Sequence, residues 1–179
     1  MVKTPLPLGE QDPFEANSYW LSRLLEAEAG GSPAREPLRA FARSVRSGAV
    51  QRAVSSYRHG ETVTRLLDAI AQRGLMVLAQ IDHAAAAREA GMDLPDEVVV
   101  VFGNPRAGTP LMQADPRVGI ELPLRMLVWD QGAQTIVGYN DPKSLAGSYN
   151  LTTQAATLDA MSSLLHALAN DAAGKTDRR

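Results

Sequence analysis

The chain predicts an α+β fold: a compact sheet of about five strands that includes a C-terminal hairpin, covered by helices on one face, with an extra N-terminal helical hairpin. Three observations carry this prediction. "EVVVVF" (97–102) is a continuous apolar run of strand length, as expected of a strand covered on both faces. "LRMLVWD" (124–130) and "QTIVGYN" (134–140) are separated only by "QGA", a connection too tight for the crossover that parallel strands require. Apolar residues at helical spacing, such as Val63, Leu66, Leu67 and Ile70, alternate with the strand-like runs.

The elements follow in order. Residues 1–11 read as a tail, and "DPFE" then supplies Asp12 as a cap and Pro13 as a first helical residue. Leu38, Phe41, Ala42 and Val45 give a second amphipathic stretch, so 12–47 reads as a helical hairpin closed by Gly48. "AVQRAVSSY" (49–57) is a strand, and the helix through Val63–Ile70 ends near Gly74. "LMVLAQI" (75–81) is a strand and "HAAAAREAG" (83–91) a short helix. Residues 103–122, crowded with Pro and Gly, are expected to be irregular. After the hairpin, "DPKSLAGSY" suits a turn of helix, and Leu151, Leu158, Met161, Leu165 and Leu168 trace a long final helix before a frayed tail.

Bulk properties exclude several function classes. A length of 179 residues suits one domain with an appendage, and 45% apolar content supports a core without staples. A net charge of −2 and 5% aromatic residues argue against nucleic-acid binding. No apolar run reaches the ~18 residues of a membrane span, and "MVKTPLPLGEQDPF" lacks a signal-peptide core. The absence of Cys removes thiolate chemistry and is compatible with a cytoplasmic protein.

The stretch "VFGNPRAGTPLMQADP" (101–116) imitates a phosphate loop, because Gly103 and Gly108 have its glycine spacing. Thr109 stands where the phosphate-binding Lys belongs, and Pro105 and Pro110 remove backbone donors, so that reading fails. A rigid turn or a pocket rim carrying Asn104, Thr109, Met112, Gln113 and Asp115 remain, and the rim is favoured. His83 follows Asp82 at a strand end, where a helix N-terminus disfavours the imidazolium and leaves a neutral ring suited to acid–base work. Asp82 serves equally well as the helix cap, and His83 as a structural residue. "GYNDP" ends the hairpin with Tyr139, Asn140 and Asp141; turn formation explains Asp141 better than Tyr139. His59 and His166 are expected at the surface. One central His and no Cys make a metal site unfavourable, and there is no Gly-x-Ser-x-Gly elbow.

The segments "ETVTRLLDAIAQRGLMVLAQIDHAAAAREAGMDLP", "VVVFGNPRAGTPLMQADPRVGIELPLRMLVW" and "GYNDP" resemble the DUF302 family of bacterial and archaeal domains of undefined function. The resemblance covers about residues 50–150 and sets the division into a 1–48 helical extension and a 49–174 DUF302-like α+β domain. It implies a homodimer, and its recurrent polar positions fall on His83, Asn104, Thr109, Met112, Tyr139 and Asn140. Three functions are then expected in order: a small-ligand-binding or sensing domain, with a polar pocket joining the 103–116 loop, His83 and Tyr139–Asn140; an enzyme using His83 as general acid or base on a small polar substrate; and an assembly protein acting through the N-terminal helices. The sequence leaves any cofactor unknown, and neither nucleic acid nor membrane is expected as a partner.

Overall fold

The computed structural model describes residues 50–175; the helical hairpin expected over 12–47 lies outside them. In chain order the elements are β1 (Gln51–Val54), α1 (His59–Gln72), β2 (Met76–Asp82), α2 (His83–Glu89), β3 (Glu97–Gly103), α3 (Pro105–Ala114), β4 (Leu124–Gln131), β5 (Gln134–Tyr139) and α4 (Ala155–Ala173). Short 3-10 turns occupy Pro116–Ile120, Pro142–Gly147 and Thr152–Gln154. The sheet has five strands in the order β1-β5-β4-β3-β2, and every neighbouring pair is antiparallel. The expected β4–β5 hairpin forms: Gln131 pairs with Gln134, and Gly132 at φ +62° opens the two-residue turn between them.

Period-two alternation selects the core face. Val98, Val100 and Phe102 of β3, Met126 and Val128 of β4, and Val137 and Tyr139 of β5 all bury on one side. They meet Val63, Leu66 and Ile70 of α1 and Leu165, Leu168 and Ala172 of α4 in a single cluster. Burying Phe102, which has no exposed surface, contributes on the order of 2–3 kcal/mol. The other face carries Trp129, whose indole lies against Gly138; a Cβ at Gly138 would sit 2.7 Å from the ring. Glycine is required there by the close approach of a side chain, not by its dihedrals.

The stretch expected to be irregular is instead helical. Asn104 caps α3 by accepting from the Arg106 amide at 2.9 Å, and Pro105 takes the first helical position, where a missing N–H costs nothing. Pro110 lies inside the helix and forfeits one backbone bond. Leu111, fully buried, offsets that loss by anchoring a second cluster with Val118, Leu151, Leu158 and Met161. Tertiary packing thus overrides the breaker signal of two prolines and a glycine.

The strand expected over 49–57 is shorter, Gln51–Val54. It ends where Ser55 turns to bond the Thr62 hydroxyl at 2.8 Å. At the opposite edge all seven residues of β2 are exposed, and its register with β3 shifts between Val77 and Ala79, placing a bulge at Leu78.

Candidate functional site

The two hydrophobic clusters do not close completely on one another. Leu75, Leu124 and Leu164 pack against the first, and Ala107, Leu122 and Met161 belong to the second. All six line a cavity of about 340 Å³. The wall is completed by Met76 and Leu78 of β2, by Pro105, Gly108, Thr109 and Met112 of α3, and by Gly103, Asn104, Gly119 and Pro123. Asn104 and Thr109 bring its few polar side-chain atoms, and the Asn104 carbonyl oxygen is already engaged as the α3 cap. The lining is therefore apolar, not the polar one expected from the sequence. Two glycines line it: a Cβ at Gly108 would meet Leu122 at 3.5 Å, and one at Gly119 would meet the Met112 sulfur at 3.5 Å, both ordinary contacts.

Asp115 holds this region together. It is 5% exposed, and its carboxylate accepts from the Arg117 amide (3.1 Å), Arg117 Nε (3.0 Å), Arg117 Nη2 (2.7 Å) and the Asn150 amide (3.0 Å). The Arg117 side-chain bond, followed by the Asn150 amide, holds the carboxyl well below the usual carboxylate range despite its burial. The residue thus ties the end of α3 to the segment that leads into α4. Nearby, the Tyr149 hydroxyl donates to Glu121 Oε1 at 3.0 Å. Asp115 is a structural clasp, although the sequence placed it on a pocket rim.

The expected convergence of His83, Asn104 and Tyr139 does not occur. Met76 pairs with Gly103 and Asp82 with Val98, so His83 and Asn104 lie at opposite ends of the β2–β3 pair. Six residues of strand separate those ends by about 20 Å. Antiparallel register, invisible in a local reading, is the cause. Asp82 caps α2 through the Ala85 amide at 2.7 Å, while His83 is half-buried and lines neither this cavity nor the cleft described below. Gly138 pairs with Leu127, which pairs with Val99, so Tyr139 stands level with Val100 and two strands away. That puts it on the order of 16 Å from Asn104. Only Asn104, Thr109 and Met112 share the cavity; Gln113 and Asn140 are exposed outside it.

Tyr139 instead lines a separate polar cleft with Asp141, Ser162, Ser163, His166 and Asn170. His166 is exposed, as expected, and its Nε2 lies 3.1 Å from the Asn170 amide nitrogen. The sequence set His166 aside because it falls off the apolar stripe of the last helix. Off-stripe residues are the ones able to wall a polar cleft. His59 departs from its expected place at the surface: it is half-buried, with Nε2 3.2 Å from the Val128 carbonyl oxygen.

An antiparallel sheet with two long helices on one face defines a class of small α+β domain. The model of DUF302, a domain of unknown function, matches residues 51–168, and the chain belongs to the DUF302 family. The crystal structure of an uncharacterized conserved DUF302 protein from Bacillus stearothermophilus has the same fold, with a TM-score of 0.64 at 23% identity over 69% of this chain and 97% of that one. Among curated relatives, the fluoride-specific ion channel FluC 1 of Brucella suis biovar 1 is 39% identical over 92 residues, which is 51% of this chain and 36% of the relative. FluC 2 of Brucella melitensis biotype 1 matches at 39% over 92 residues and 34% of its length. The chain thus spans about a third of the length of these curated relatives. No helix among the described residues is long and apolar enough to cross a membrane.

Proposed function

We propose that this domain binds a small apolar molecule in the cavity between α3, α4 and the β2–β3 end of the sheet. The observation that carries the reading is the cavity itself. It measures about 340 Å³, opens between two separately packed clusters, and restricts polar side chains to Asn104 and Thr109 at one wall. Ligand pockets have this volume and this balance of apolar wall and sparse polar groups. Binding of a neutral ligand with one hydrogen-bonding end follows from that lining. Acid–base work by His83 loses its support, because the imidazole is remote from the cavity.

Titration of the full chain with N-phenyl-1-naphthylamine, read by dye fluorescence, tests the reading. Saturable binding is expected. Leu78→Glu places a charge at the exposed lip of the cavity, where Leu78 is 54% exposed, and should abolish binding with little change in melting temperature. Dye binding that survives this substitution would place the ligand elsewhere.

A further inference from the structure

The cleft that contains Tyr139 shares no lining residue with the apolar cavity. Tyr139 is 7% exposed, and its ring belongs to the main core. Its hydroxyl makes no hydrogen bond among the described residues, whereas the Tyr149 hydroxyl does. The fully enclosed polar side-chain atom that lacks a partner among the described residues is Arg65 Nε, so the Tyr139 oxygen is not sealed away. It opens onto the cleft that the residue lines. Facing the cleft, the hydroxyl is free to donate to whatever occupies it.

The surrounding chemistry narrows what the cleft could bind. Ser162 and Ser163 present hydroxyls from α4, and Asp141 and Lys175 bring opposite charges from either side. Asp171 is already paired with Arg73 at 2.6 Å. The cleft is therefore close to charge-balanced and rich in groups that both donate and accept. Burial, reinforced by Asp141, pushes the Tyr139 phenol above its usual range, so it remains a donor at neutral pH.

We infer that this cleft of about 480 Å³ is a second binding site, for a small uncharged polyhydroxy molecule whose oxygen accepts the Tyr139 hydrogen bond. The serine hydroxyls and the Asp141 carboxylate engage the remaining hydroxyls of the ligand. A charged ligand would unbalance the cleft, and a large apolar one would strand its polar groups.

The test is saturation-transfer NMR on the full chain with myo-inositol, D-ribose and D-glucose in turn, beside thermal melting. Transfer to at least one of the three is expected for the wild type. Tyr139→Phe should weaken it about tenfold, the worth of one lost hydrogen bond, while leaving the melting temperature equal or higher. Leu78→Glu should leave it unchanged, which separates this site from the apolar cavity. A lower melting temperature for Tyr139→Phe would reveal a structural hydroxyl and overturn the inference. So would the absence of transfer in the wild type, or transfer indifferent to the substitution.

Discussion

Along one face of α4, Met161 and Leu164 look into an apolar cavity; Ser162, Ser163 and His166, interleaved with them, wall a polar cleft. Helical geometry makes this possible, since consecutive residues diverge by about 100° and those three or four apart realign. The difference between the two regions is one of origin. The cavity is a gap between two packed clusters, so its lining also holds the fold together. Apart from Tyr139, whose ring belongs to the main core, the cleft is walled by polar side chains that lie outside both clusters, which leaves them free to be chosen for what they touch. Substitutions should therefore act on the two regions in opposite ways.

The largest contrast should come from neighbours on α4. Met161 is 5% exposed and joins the second cluster, so Met161→Ala should cost about 2–4 kcal/mol by urea unfolding. Ser162→Ala, one residue on, should stay within about 0.5 kcal/mol. Equal effects would erase the distinction between a structural lining and a dispensable one.

The apolar region should also carry the stronger acid dependence. The Asp115 carboxyl is held low in the fold by Arg117 and the Asn150 amide, and it returns to about 3.9 when the chain unfolds. Its contribution is thus complete above the unfolded value and is lost as pH falls below it toward the folded one. Asp115→Asn should be less stable than wild type at neutral pH, and the gap should narrow progressively as pH falls below about 4. Parallel stability curves across that window would remove Asp115 from its place as a clasp.

The smallest effect sharpens the comparison from the other side. In α3, Gly108→Ala adds a methyl at ordinary contact distance, 3.5 Å from Leu122. It should stabilise by about 0.5–1 kcal/mol through helix propensity, and it should weaken naphthylamine binding slightly by narrowing the cavity. Destabilisation would mean that the wall is already full.

Much of the fold is legible in the sequence, and the failures share a cause. The valine run of β3, the tight hairpin and the apolar stripe of α4 are local patterns, and all three elements form. Pro110 and Gly108 make α3 unreadable locally, because its stability comes from Leu111 meeting residues that lie up to fifty positions away in the chain. The candidate site fails for a related reason. His83, Asn104 and Tyr139 each stand at a strand or helix end, but antiparallel pairing decides which ends coincide. Asn104, Thr109 and Met112 remain together because they share one helix and its cap.

The bare backbone at Gly138 has a spectroscopic consequence. It lets the indole of Trp129 rest across β5 on the side of the sheet turned away from both cavities. The chain has two tryptophans, and Trp20 lies outside the described residues. In a Trp20→Phe background, intrinsic emission would thus report loss of the sheet while remaining blind to occupancy on the helical side, a built-in reference channel against which any ligand signal can be normalised.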